Sequence, residues 1–186
     1  MQSDRFLKAI LAAALGVASM AIGAPETVPA KETPAFREFN ERVRRYLKLP
    51  KSAPALRNTK EGEEIVQRRH ALAQKIQEER SHAKPGDIFS HKVAEEFRRV
   101  IQGAFDGPKG PNVRKTIRQG EPVAGWRPIV NAEYPDKLPL TTVPPTLLLL
   151  LPMLPPEVSY RIIGHDFVLE DTEARVILDL IPGIIP

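Results

Sequence analysis

Nineteen prolines in 186 residues limit this chain more than any other feature. A proline lacks the N–H that a helix interior or a central strand needs, and it holds its predecessor out of the α region. The prolines gather ahead of the first amphipathic stretch (Pro25, Pro29, Pro34), between stretches (Pro50, Pro54), and above all between Pro108 and Pro156. Such runs read as extended connections and edge segments. Regular structure is therefore expected in the windows between them, helical in period as far as Gly120 and extended from Glu121 onward.

In the helical half, the spacing predicts a first helix from about Pro34 to Leu49. Phe36, Phe39, Val43, Tyr46 and Leu47 recur on one side, Thr33 stands as N-cap, and Pro34 suits the first turn. A second helix is expected over about Lys60 to Ser81, with Ile65, Leu72 and Ile76 as its stripe and Thr59 as a cap. Lys84-Pro85-Gly86-Asp87 reads as a turn. A third helix follows from Asp87 or Ser90 to Phe105, capped by Asp87, and a short fourth begins at Pro111 and ends before Gly120. Glu38→Arg42, Glu41→Arg45, Glu64→Arg68 and Glu95→Arg99 are acid-to-base pairs at i,i+4. Each is worth only about 0.2–0.5 kcal/mol, and together they mark solvated faces.

From Glu121 the pattern changes. Trp126 to Val130 and Thr146 to Leu154 look extended, and Leu147–Leu151, too short to cross a membrane, reads as a buried strand. Gly164-His165 reads as the two-residue turn of a type II′ hairpin, which pairs Ile163 with Asp166, Ile162 with Phe167, Arg161 with Val168 and Tyr160 with Leu169. With Asp171-Thr172-Glu173-Ala174 as the next loop, Glu170 faces Arg175 and Asp166 faces Asp179. That register gathers Tyr160, Ile162, Phe167, Leu169, Val176, Leu178 and Leu180 on one apolar face. The expected fold is α+β: three to four N-terminal amphipathic helices packed on a small C-terminal antiparallel β-meander, with residues 25–120 and 121–186 forming one folded unit.

The first 24 residues carry the parts of a secretory signal peptide. Arg5 and Lys8 precede an uncharged run from Ala9, and small residues, Ala21 and Gly23, suit cleavage after Gly23. The run is shorter than the roughly 20 residues of a membrane-spanning helix, so no transmembrane segment is expected after cleavage. The protein is thus expected to be exported, periplasmic or extracellular. It has no cysteine, which excludes a disulfide scaffold, a thiol nucleophile and thiolate metal ligands together.

Charge is divided unevenly. Residues 25–120 hold 21 Lys and Arg against 13 Asp and Glu, whereas residues 121–186 hold 4 against 9. The two halves either attract one another across an internal contact or leave a basic face for an anionic partner. Catalytic and metal-ligating patterns are sparse. No serine lies in a nucleophile elbow, glycines are not arranged as a phosphate loop, and no cofactor is expected. Nucleic acid is not an expected partner, because no basic-aromatic sheet pattern is present. The candidate metal ligands are His82, Asp87 and His91 around one turn. The candidate carboxylate pair is Asp166 with Asp179, since facing carboxylates can share a proton or hold a cation.

Leu154-Pro155-Pro156, Tyr160-Arg161, Gly164-His165-Asp166, Val168-Leu169 and Val176 to Ile181 together form a short β-module. The module resembles the end of the periplasmic nickel/cobalt-homeostasis family and of several small exported bacterial domains of unknown function. The resemblance implies export and a terminal β-hairpin, and it carries no ligand set onto these residues. The functional expectation is a non-enzymatic envelope protein that binds a protein partner or an anionic envelope polymer through its basic helical half. The competing class is a small periplasmic metal-binding protein or hydrolase using histidines and aspartates.

Overall fold

In a computed structural model, residues 33–50, 62–118, 125–139 and 142–186 are described. The elements run α1 (Pro34–Leu47), α2 (Gly62–Glu79), α3 (His91–Asp106), α4 (Gly110–Arg118), α5 (Pro145–Leu148), β1 (Val158–Ile163), β2 (Asp166–Asp171) and β3 (Ile177–Ile181). The strands form one antiparallel sheet in the order β1-β2-β3. The α+β expectation holds: helices lie on one face of a C-terminal meander. Thr33 caps α1 as its sequence position predicts, its Oγ1 accepting from the Phe36 N–H at 3.2 Å. Residues 1–24 and Thr59 lie outside the described residues.

The main core sits between the helices and the sheet. Phe36 and Phe39 of α1, Phe89 and Phe97 at α3, and Tyr160 and Phe167 of the sheet are all buried. Their rings meet at 5.0 to 6.3 Å, with Phe97 central: it packs edge-on against Phe36, Phe39 and Phe89 and leans on Phe167 at 5.8 Å. Such pairs add about 0.5–1.5 kcal/mol each beyond area burial, so this knot is where the helical layer is joined to the sheet. From α2 come Leu72, Ala73 and Ile76. Ile65, expected on the same stripe, is instead 48% exposed.

The opposite face of the sheet is also covered. Ile163, Val168 and Ile177 pack with Tyr134, Trp126, Leu138 and Leu180. The covering segment is part of the proline-rich stretch, and it attaches to the outer edge of β3 through Asn131 N–H to Ile177 O, Ile177 N–H to Ala132 O, and Tyr134 N–H to Arg175 O. Asn131, in the left-handed region at φ 67, turns its Nδ2 onto the last carbonyls around α2, Gln77 O and Arg80 O. One side chain thereby satisfies orphan acceptors of a helix end and fixes the cover layer to the helical layer. Trp126 to Val130 forms no regular strand.

The first hairpin has the expected register, from Ile163↔Asp166 to Tyr160↔Leu169. Gly164 takes φ +60 at the first turn position, as a type II′ turn requires. The second hairpin corrects the expectation. Its four-residue loop is Thr172 to Arg175, one residue further along, because Asp171 N–H bonds to Val176 O and Arg175 N–H returns to Asp171 O. A bulge then follows: Glu170 pairs with Ile177, but Leu169 pairs with Asp179, leaving Leu178 as an extra residue. Both Leu178 and Asp179 consequently turn toward the helical layer, and Ile181 replaces Leu180 on the core face. Asp166 does not face Asp179.

Asp179 is fully buried, and its carboxylate is the acceptor for four backbone N–H groups. Oδ1 receives Gly86 at 3.0 Å and Leu180 at 2.8 Å, while Oδ2 receives Ile88 and Phe89, each at 2.7 Å. Burial pushes the carboxyl above its ordinary value, and the four N–H groups pull it back in part. Asp179 thus fills the role expected of Asp87: it anchors the turn leading into α3. The N-cap residue of α3 is Ser90, which makes no side-chain cap bond. Removing the carboxylate orphans buried donors at about 1–3 kcal/mol each. Asp179→Ala is therefore expected to lose about 3 kcal/mol or more in urea unfolding, and Asp179→Asn, which retains one acceptor oxygen, to lose less.

Candidate functional site

A cleft of about 370 Å3 opens where the C-terminal ends of α1 and α2 meet the turn before α3. Arg42, Arg45 and Tyr46 come from α1, Glu79 and Arg80 from the end of α2, and His82 and Asp87 from the turn. The turn is built locally from Lys84-Pro85-Gly86-Asp87. Gly86 takes φ +93, open to glycine at no cost, and Asp87 Oδ2 accepts the Lys84 N–H at 3.0 Å. Arg42 ties the turn to α1, its Nη1 donating to Asp87 O at 2.7 Å while its Nε donates to Glu38 Oε1 at 2.9 Å.

The floor of the cleft is Tyr46 and Arg80. The Tyr46 hydroxyl donates to Asp171 Oδ2 at 2.5 Å. Burial, then the neighbouring Asp171 charge, raise the phenol far above its ordinary value, so it stays a neutral donor. Asp171 is itself held by the Glu173 and Ala174 N–H groups on Oδ1. The Arg80 guanidinium lies over the Tyr46 ring at 5.6 Å and donates Nη2 to Leu178 O at 2.8 Å. Its Nη1 is buried with no hydrogen-bond partner among the described residues. Burial draws the guanidinium below its ordinary value, opposed by Asp179 and Asp87. Arginine nevertheless remains charged at any physiological pH, so the cleft holds a cation with a donor to spare. Arg45, on the rim, is exposed and makes no ion pair among the described residues.

The candidates from sequence are distributed as follows. His82 and Asp87 line this cleft. His91 lies elsewhere, on the first turn of α3, exposed and 3.2 Å from Glu95. Asp166 opens β2 and accepts the Gly183 N–H at 2.9 Å. Asp179 lies in the core, as above. Among the described residues, no three His, Asp or Glu side chains gather in an arrangement able to hold a metal ion. Ser90, beside His91 in sequence, gives its hydroxyl to Glu38 at 2.7 Å instead.

A second polar cluster lies on the other face of the sheet. Glu170, fully buried, accepts from Arg161 Nε at 2.6 Å, and Arg175 Nε stands 3.9 Å from its other oxygen. Arg175 also rests over the Tyr134 ring at 4.9 Å and reaches Asp136, which pairs with Arg69 of α2 at 2.5 Å. Arg68 pairs with Glu173 at 2.8 Å and His70 with Glu133 at 2.5 Å. The basic and acidic halves therefore do meet, along α2. Of the expected helical pairs, Glu38–Arg42 forms, whereas Arg99 turns to Glu96 at i,i+3.

Sequence reasoning does not single out Arg80. Only its neighbourhood, an arginine one residue past a helix end and close to an apolar α1 stripe, hints at burial. Compared with known proteins, the chain matches no family model, no curated protein and no solved structure.

Tyr46→Phe, which deletes one buried hydrogen bond to a charged group, is expected to cost about 1.5–3 kcal/mol in chemical denaturation. His82→Ala, on an exposed rim, should stay within about 0.5 kcal/mol of the parent.

Proposed function

We propose that this is an exported, non-enzymatic envelope protein whose α1/α2 cleft binds an anionic group, a phosphate or carboxylate borne by an envelope component. The observation that carries the reading is the buried Nη1 of Arg80, a charged donor without an acceptor. Buried polar groups are nearly always satisfied, and each that is not costs about 1–3 kcal/mol. An anion oxygen in the cleft supplies the missing acceptor. Arg45 and Arg42 stand on the same walls, and Tyr46 fixes the guanidinium plane from beneath. The geometry suits a charge-assisted hydrogen bond, because the Arg80 guanidinium is held in place by Leu178 O and the Tyr46 ring. Export is supported by the composition of residues 1–24, and the excess of Lys and Arg over residues 25–120 favours anionic partners at long range.

The test is calorimetric titration of the full chain with pyrophosphate and with polygalacturonate, at low and high salt. Pyrophosphate stands for phosphate-bearing components and polygalacturonate for carboxylate-bearing ones. One of the two is expected to bind at a single site, at least tenfold more weakly at high salt. Arg45→Glu, and separately Arg80→Lys, should each weaken that binding tenfold or more. Absence of binding by both, or binding indifferent to both substitutions, contradicts the reading. A salt-insensitive response to one divalent metal, lost in His82→Ala, would replace it with the metal-binding alternative.

A further inference from the structure

The Arg80 cleft is lined by charges of both signs. With histidine counted as neutral, Arg42, Arg45 and Arg80 stand against Glu79 and Asp87, three positive groups to two negative. Two of these are engaged outside the lining: Arg42 holds Glu38 at 2.9 Å, and Glu79 stands 3.6 Å from Lys75. Setting both couples aside leaves Arg45 and Arg80 against Asp87. Either way the balance is one positive charge, which suits a ligand carrying a single negative one. A phosphomonoester, at about −1.5 to −2 near neutral pH, would set its surplus charge against Asp87 and Glu79, and like charges brought together in a partly buried site are unfavourable.

The rest of the lining narrows the ligand further. Leu49, Ala83 and Ile88 join the Tyr46 ring on the walls, so an apolar group beside the anion would be covered, whereas a bare anion would leave these walls wet. Asp87 accepts the Lys84 N–H on Oδ2, and no donor among the described residues reaches its Oδ1. The cleft therefore offers an unused cationic donor at Arg80 Nη1, an unused acceptor and an apolar wall. At about 370 Å3 it lies near the lower limit of the roughly 300–1,000 Å3 usual for small-molecule sites, room for the end of a chain and not for a length of polymer.

Resting on the anion-binding reading above, we infer that the anion is the C-terminal carboxylate of a peptide whose last residue is apolar. The carboxylate meets Arg80 Nη1 and Arg45, the adjoining amide N–H is given to Asp87, and the side chain lies against Leu49, Ala83 and Ile88. One end of a peptide presents these three groups together with a single negative charge. A free amino acid does not match the count, because its ammonium makes it neutral overall. A carboxylate borne along a polysaccharide brings no apolar group for the walls.

The test is calorimetric titration of the full chain at pH 8 with N-acetyl-leucine, N-acetyl-leucinamide, free leucine and phenyl phosphate. N-acetyl-leucine is expected to bind one-to-one, at least tenfold more tightly than each of the other three. Arg80→Lys should weaken it tenfold or more, and Arg45→Gln, at an exposed position, several-fold with an unchanged melting curve. Asp87→Asn raises the balance to two positive charges and should narrow the preference for N-acetyl-leucine over phenyl phosphate several-fold. Equal binding of the acid and its amide, or tighter binding of free leucine or of phenyl phosphate, overturns the inference. If phenyl phosphate is preferred and is lost in Arg80→Lys, the anion-binding reading stands and only the peptide terminus falls. The same holds if none of the four binds while pyrophosphate or polygalacturonate does, whereas failure of every anion overturns both.

Discussion

The carboxylate of Asp179 is the point on which the arrangement turns. Four backbone N–H groups converge on it, three of them from the turn some 90 residues earlier in the chain. A charge so deeply buried is tolerated only when its oxygens are fully occupied, and here the donors belong to the segment that must be correctly placed before α3 can begin. Phe89 follows directly, and its ring enters the aromatic knot against Phe39 and Phe97. The polar anchor therefore sets the register of the helical layer on the sheet, and the apolar contacts then supply the bulk of the stabilisation.

The Arg80 cleft depends on the same anchor. Its wall from Ser81 to Ile88 is the loop that Asp179 holds, and its floor is fixed from the sheet side by Leu178 O and by Asp171 beneath Tyr46. The bulge at Leu178 makes both possible, since it turns two successive residues toward the helices. Asn131 completes the frame from the far side by binding the carbonyls at the end of α2. The unpaired donor of Arg80 is thus held by a rigid scaffold, which is what a binding group requires for its hydrogen bonds to be worth more than the entropy of ordering them.

Much of the fold was legible because local chemistry decided it. Thr33-Pro34 fixed the start of α1, and Gly164-His165 fixed the first hairpin, since a two-residue turn leaves one register. The second hairpin was not legible. An aspartate between Leu178 and Leu180 reads as an outward position in strict alternation, and only the distant N–H groups of Gly86, Ile88 and Phe89 make an inward one favourable. The leucine run failed for a different reason. Its burial at Leu147 and Leu151 has helical spacing, following two prolines suited to a first turn, but its length and composition are those of a buried strand. The cleft was hidden because a buried arginine and a solvated one are identical in sequence, and the difference lies in Tyr46 and Leu178, far apart along the chain.

The most direct test of Asp179 as the organising contact is native-state hydrogen exchange at the amides of Ile88 and Phe89. Loop amides ordinarily exchange through local fluctuations with small opening free energies. If Asp179 holds these two as described, they should exchange only through global unfolding, with opening free energies equal to those of Phe167 and Leu169 in the central strand. Exchange at the rate of a surface loop, while the strand amides remain protected, would contradict the account.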